Sequence, residues 1–481
     1  MSIQAWFRLP RVRRGIAVSA VVLATGGLVL ARTPAGAGVL TTPDSHVTLA
    51  GGSNAVTFSG TGVQGRLALS HTRVLASGGQ RVFAELDLRA DAAQGQRERA
   101  PLAIAVALDT SGSMEGDKIR DAKRSVIRLI RDMRDDDEIA MVRFSSDSEL
   151  IQPLAPVGRV RSSLVERVEA LEAGGGTNIP AALSQAIRTL ADAGKGRVRR
   201  VVLASDGLDS GRASSESQAR QSAARGTTVS AMGIGLDFDA GYMGGVAEAG
   251  HGNFAFVEDA SALAGFLHRE LEQTATTTVE AVTARIRLPE GVRFIRAVGG
   301  DGATAGAGGE VEIRVGSLFA GDERRVLLEL EASIPDGQTR AVAGSVDWNV
   351  VGGDTAAARF GGLSLAGTSD RLAVDEGRDG AVLANATSVV ASIRQLEAAD
   401  AYERGDTARA QALIDQNKAE LEAAAAAAPP SAAPKLAAQA SYYDQTAEAF
   451  RAVKPSSAAG RAASRKAAEK DFSNMGRETG F

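Results

Sequence analysis

Asp109, Ser111 and Ser113 close the stretch LAIAVALDTSGS, in which an apolar run from Leu102 to Leu108 stops at a carboxylate followed by two hydroxyls spaced two residues apart. Oxygen donors of this kind suit a hard divalent cation, since magnesium and calcium take oxygen ligands and magnesium retains several waters. One carboxylate and two hydroxyls leave coordination positions to be filled from elsewhere in the chain. Thr177 follows the glycine run Gly174-Gly175-Gly176, and Asp206 stops a second apolar run, Val201 to Ala204, as Asp109 stops the first. Two carboxylates brought to one edge of a sheet repel each other unless a cation or water lies between them.

The elements that must position these residues read clearly. A short, fully apolar run bounded by turn residues is the mark of a buried parallel strand. Ligands of open α/β sheets bind at the carboxyl ends of such strands. Ile119, Ala122, Val126, Leu129, Ile130 and Met133 then recur at helical spacing. Ile139 to Phe144, Thr228 to Gly233 and Asn253 to Val257 read as further strands, and Glu149 to Leu154 as an antiparallel edge. Helices are expected around Leu164 to Leu171, from Ile179 with Pro180 in its first turn, and over Ser261 to Gln273. Alternating strands and helices imply a doubly wound, mostly parallel α/β sheet with helices on both faces.

At these residues the chain resembles the von Willebrand factor A (VWA) domain. Asp109-Thr-Ser111-Gly-Ser113, Thr177 and Asp206 match the DxSxS…T…D pattern of its metal-ion-dependent adhesion site. The stretches VRFSSDSEL, GGGTNIPAAL, VVLASDG and VSAMGIG are also similar to the family, and the resemblance runs roughly from Pro101 to Thr274. It implies that Ser111, Ser113 and Thr177 coordinate directly or through water. It implies that Asp109 and Asp206 act directly or through water, and that a partner's acidic residue completes the shell. The implied ion is Mg2+, with Ca2+ or Mn2+ as alternatives.

Outside this stretch the period changes. Gly38 to Thr61 reads as a linker or loose strands, and Gly65 to Leu69 and Gln80 to Leu88 as half-buried strands. Asp91 to Arg99 reads as a polar loop. From Val279 to about Leu365 the pattern is that of an antiparallel β-sandwich-like domain, with turns at Pro289-Glu-Gly291 and Pro335-Asp-Gly337. The VWA-like unit is therefore inserted in this domain or followed by it. Asp379 to Ala428 reads as a helical hairpin broken at Gly405-Asp406. Tyr442 to Phe450 reads as a short helix, and Ser456 to Phe481, poor in apolar residues, as disordered. The expected organisation is 1–37 signal peptide or membrane anchor, 38–100 linker and first strands, 101–274 VWA domain, 275–370 sandwich, 379–428 hairpin, and 429–481 short helix and tail.

Composition narrows the function. The chain has 481 residues, a formal net charge of −4 and no cysteine. The charge gives no reason to expect nucleic acid. The lack of cysteine excludes disulfides and thiolate metal sites. Arg8, Arg11, Arg13 and Arg14 precede an uncharged stretch from Gly15 to Ala31, with Ala35-Gly-Ala37 beyond it. This reads as a secretory signal, or as an anchor through residues 15–31, and places the rest outside the cytoplasm in a bacterial envelope, periplasm or medium. Membrane contact is expected only through that segment. The four histidines, His46, His71, His251 and His268, are scattered, and no HExxH, GxSxG or GxxxxGK[ST] occurs. Asp237 and Asp239 are within range of the metal rim but read rather as a solvated loop, Ser210 to Ser217 as a polar loop and helix cap, and Asp132 to Glu138 as an exposed turn. The expectation is a non-enzymatic protein that binds a protein ligand's Asp or Glu carboxylate through the metal. A metal-assisted hydrolase, or a structural subunit of an envelope complex or channel regulator, is the alternative.

Overall fold

The strands that precede residue 91 and those that follow residue 276 build one β-sandwich, and the stretch between them is an inserted α/β unit. A computed structural model describes residues 46–49, 54–76, 78–92, 100–194, 196–206, 209–257, 260–306 and 308–476. Residues 1–37, on which the signal or anchor was expected, lie outside them, as do residues 93–99 of the expected polar loop. Among the described residues no helix is long and apolar enough to cross a membrane.

The first strands are β1 (His46–Leu49), β2 (Ala55–Gly60), β3 (Val63–Leu69), β4 (Arg73–Leu75) and β5 (Gln80–Ala90). The insertion runs β6 (Leu102–Asp109), α1 (Asp117–Asp132), β7 (Glu138–Phe144), β8 (Ser148–Pro156), α2 (Val157–Glu169), α3 (Ile179–Leu190) and β9 (Val198–Ser205). It continues α4 (Arg212–Ala223), β10 (Thr227–Ile234), α5 (Ala240–Ala249), β11 (His251–Val257) and α6 (Ala260–Ala275). Its sheet has the order β11-β10-β9-β6-β7-β8, parallel except for the antiparallel edge β8. Side chains alternate across a strand. Leu102, Ile104, Val106 and Leu108 of β6 therefore pack on one face with α1 and α6, through Ile119, Val126, Phe266 and Leu267. The alanines Ala103, Ala105 and Ala107 face the other side, where their small volume lets α3 approach through Ile179, Leu183 and Ala186.

The chain then adds β12 (Thr277–Arg287), β13 (Val292–Val298), β14 (Asp301–Ala305), β15 (Glu310–Phe319), β16 (Glu323–Ala332), β17 (Thr339–Val350) and β18 (Thr355–Thr368). Two sheets result, β1-β2-β3-β5-β16-β13 and β14-β15-β12-β17-β18-β4. The long β5–β16 ladder joins segments from either side of the insertion, from Glu323 opposite Arg89 to Ala332 opposite Gln80. The sequence pattern allowed the VWA-like unit to be inserted or merely followed; this pairing makes it an insertion. Its entry and exit meet at one turn, because Gly321 N donates to Asp91 O and Ala320 N to Thr276 O. Between the sheets lie Val56, Phe58, Leu67, Leu86, Val282, Ile313, Leu328 and Trp348. Trp348 satisfies its buried indole N–H on Thr61 O at 2.9 Å, and Phe58 stacks on Phe360 with centroids 5.1 Å apart.

The helical region comprises α7 (Arg371–Glu376), α8 (Gly380–Glu403), α9 (Thr407–Ala427), α10 (Ala433–Ala452) and α11 (Ala458–Gly476). Asp379 caps α8 by accepting from Ala381 N and Val382 N. Val382, Ala386 and Val389 lay α8 on Ala68, Phe83 and Leu327 of the first sheet.

Three expectations are corrected. Part of the stretch taken as linker or loose strand, up to Thr61, is an ordered edge of the sandwich, because Val56 and Phe58 alternate inward on β2. Of residues 456–481, expected to be disordered, 458–476 form α11, and 477–481 lie outside the described residues. Its buried face is made of small and polar residues, Gly460, Ser464, Ala467, Ala468 and Asp471, and ends in Met475. Asp471 accepts from Tyr443 Oη at 2.6 Å inside a buried network that Gln439, Ser392 and Asn474 extend. The turn Asp132 to Glu138 is likewise only partly exposed: Asp137 is buried and accepts from Leu102 N and Arg134 N, fixing the start of β6.

Candidate metal centre

The register of the central sheet creates the site. β6 and β9 are parallel neighbours with Leu108 opposite Ala204, so Asp109 emerges level with Ser205, and Asp206 follows at the same edge. Asp109 is fully buried. Its Oδ1 accepts from Ser111 N at 2.7 Å, folding the loop back over the strand end. Its Oδ2 accepts from Ser205 Oγ at 2.5 Å. Ser111 Oγ and Ser113 Oγ lie 3.0 Å apart. Ser113 Oγ donates to Asp206 Oδ1 at 2.7 Å. Four of the expected donor residues thus form one continuous polar chain, Asp109 and Asp206 buried beneath it and Ser113 exposed at its mouth.

Thr177 is brought to the same edge by its loop. Gly112 N donates to Gly175 O at 3.0 Å, and Gly174 N donates to Thr110 O at 2.7 Å. Gly175 has φ +87, and a Cβ there would lie 3.2 Å from Ser145 Oγ, so this position needs glycine on both counts. Asn178 then caps α3 by accepting from Ala181 N at 3.1 Å. Thr177, half-buried, stands between the glycine loop and this cap.

Burial pushes the Asp109 carboxyl above its ordinary range; hydrogen bonds from Ser205 and Ser111 pull it back, and the Asp206 charge pushes it up. A fold that buries two carboxylates side by side has to supply positive charge. Lys118, on the first turn of α1, supplies it, its Nζ hydrogen-bonded to Asp206 Oδ2. The donor set is all oxygen, two carboxylates and three hydroxyls, which fits a hard divalent cation. Among the described residues no group of three or more His, Cys, Asp or Glu is placed to hold a metal.

Ser205 and Lys118 were not singled out from the sequence. Ser205 becomes visible only once Leu108 and Ala204 are known to be level. Lys118 reaches the site because Gly235, with φ +73, leaves room for its stem: a Cβ there would lie 3.0 Å from Lys118 Cε. His251, by contrast, takes no part; it opens β11 with φ 55 and packs on Gly316.

Residues 103–269 match the family model of the von Willebrand factor type A domain. The chain contains a VWA domain. Over 201 residues, 40% of this chain and 35% of the relative, it is 29% identical to the uncharacterized protein YfbK of Escherichia coli. Over 250 residues, 48% of this chain and 57% of the relative, it is 25% identical to an uncharacterized protein of Synechocystis. The chain thus matches about a third and a little over half of these two relatives' lengths. Among solved structures, a von Willebrand factor type A protein from Catenulispora acidiphila superposes with a TM-score of 0.63 at 20% identity, covering 89% of this chain and 98% of that one. The ArnB paralog VWA2 from Sulfolobus acidocaldarius gives 0.57 at 15% identity, covering 85% and 98%. Coverage this broad extends the shared fold beyond the VWA domain to the antiparallel sheets and the helical region.

Proposed function

We propose that the VWA domain holds a divalent cation, Mg2+ foremost, through Asp109, Ser111, Ser113, Thr177 and Asp206, and uses it to bind a carboxylate of a protein partner outside the cytoplasm. The observation that carries this reading is the graded burial of the donors. The two carboxylates and Ser111 are buried while Ser113 is exposed and Thr177 half-buried, so the negative charge lies beneath the site and two of its three neutral hydroxyls line the opening. A bound cation would supply Lewis acidity and an exchangeable position at that opening. Of the five described donors only Asp109 and Asp206 carry a formal negative charge, so an Asp or Glu side chain from outside is the complementary ligand. Ser205 and the Ser111 amide hold Asp109 in orientation; Ser113 holds Asp206. The role is adhesion or assembly and not turnover.

The test is a pull-down from envelope extract with the segment from Gly38 to Phe481 as bait, run with magnesium, with calcium and with chelator, beside Asp109→Ala. A partner retained only with metal and intact Asp109 supports the reading. Bands indifferent to both would move binding to the sandwich or the helical region.

A further inference from the structure

Four charged side chains form a line from the site to the carboxy-terminal helix. Lys118 Nζ bonds Asp206 Oδ2 and also lies 3.8 Å from Asp237 Oδ2. Arg461 Nε, on the first turn of α11, lies 3.6 Å from Asp237 Oδ1. Asp237 is in the loop between β10 and α5, at the carboxyl edge of the sheet that carries the site. Asp237 is solvent-exposed, as expected of that loop, and its carboxylate stands between two cations. α11 is fixed to the same region by independent contacts. Arg465 lies over the Phe238 ring at 4.9 Å, and Phe472 meets Phe254 edge-on at 5.5 Å.

We infer that Lys118 is a tethered cation that competes with the metal for Asp206, and that Asp237, shared with Arg461, sets how easily Lys118 gives way. This rests on the metal site proposed above. The geometry supports it in three ways. Lys118 sits on the one carboxylate that also accepts from Ser113, so an ammonium and a divalent cation at Asp206 would be like charges at contact distance. A second acceptor lies within reach of the same Nζ. The stem passes over Gly235, where a Cβ would lie 3.0 Å from Lys118 Cε, so the bare glycine leaves the lysine room to turn between the two carboxylates. When Lys118 turns from Asp206 to Asp237, it meets a carboxylate already engaged by Arg461. The seating of α11 therefore opposes metal binding, and metal binding in turn weakens the Arg461 contact, since coupling between two equilibria is reciprocal.

The experiment is calorimetric titration of Mg2+, and of Mn2+, into the full chain and its variants. Lys118→Met keeps the apolar stem and removes the charge; the dissociation constant is expected to fall about ten-fold. Lys118→Gln serves the same purpose if the methionine variant is unstable. Arg461→Gln frees Asp237 and lowers the constant about two- to three-fold, while Asp237→Asn raises it by a similar factor, as befits partly exposed pairs. In the Lys118→Met background both of these effects should vanish. Unchanged or weaker metal binding by both Lys118 variants overturns the inference, as does persistence of the Asp237 and Arg461 effects without the lysine, which would mark them as general field effects. Asp109→Ala separates the two levels. If it still binds metal normally, the metal site itself is wrong; if it loses metal while the Lys118 variants bind like wild type, only the competition is wrong.

Discussion

Asp206 accepts from Ser113 and pairs with Lys118, and the proposed site adds a third role, metal donor, to the same carboxylate. Asp206→Asn separates them, because an amide oxygen still accepts from Ser113 while the charge is gone. Metal affinity is expected to drop by about two orders of magnitude, since a full charge is lost at contact distance in a buried setting. The melting temperature of the metal-free protein should change by only a few degrees, because burial of one carboxylate is relieved as Lys118 loses its partner. Calorimetric titration beside thermal denaturation checks both halves; equal metal affinity in variant and wild type would remove Asp206 from the site. The donor pattern was legible in the sequence because two apolar strands each end in Asp and a glycine run precedes a threonine. Ser205 and Lys118 were not legible. Their roles depend on strand register and on the space over Gly235, which is distant from Lys118 in sequence.

At the scale of elements, α11 shows why periodicity of large apolar residues is an incomplete guide. Its sequence carries few such residues, yet Gly460, Ser464, Ala467, Ala468, Asp471 and Met475 recur at helical spacing and are buried or nearly so. Small residues allow close approach, and the polar ones find partners in α8 and α10. The helix also presents Phe472 to a gap that only glycine leaves: a Cβ at Gly244 would lie 2.3 Å from the Phe472 ring. Phe472→Ala should therefore destabilise the chain by roughly 2 kcal/mol, below the value for a fully buried phenylalanine. Gly244→Val should have an effect in the same direction by displacing the ring. Amide hydrogen exchange over residues 458–476 should accelerate in both variants while that of β6 and β9 stays slow. Uniform acceleration across the VWA domain would mean that α11 is not a separately released element.

At the scale of the whole molecule, the insertion is what makes the helical region and the metal site neighbours: the sandwich carries α8 on one sheet, the inserted unit carries the site, and α11 touches both. The sequence left insertion and simple succession both open, because the strands on either side of the VWA stretch look like separate small β regions until β5 is paired with β16. The same arrangement buries Asp471 completely between α11, α8 and α10, and burial raises its carboxyl to about 8, against hydrogen bonds from Tyr443 and Ser392 that favour the anion. The folded chain therefore holds this proton more tightly than the unfolded chain does. The resulting stabilisation is complete below the unfolded value near 3.8 and is lost as pH rises toward about 8, by at most about 6 kcal/mol. Asp471→Asn keeps an acceptor for Tyr443 and gains a permanent donor for Ser392, so it removes the titration without emptying the network. Urea midpoints of the two proteins should differ by a constant offset near pH 4, then diverge in the variant's favour up to about pH 8 and run parallel above it. Curves that stay parallel from pH 4 to 8 would show that Asp471 titrates alike in the folded and unfolded chain, and that α11 is held by its small-residue packing and Phe472 alone.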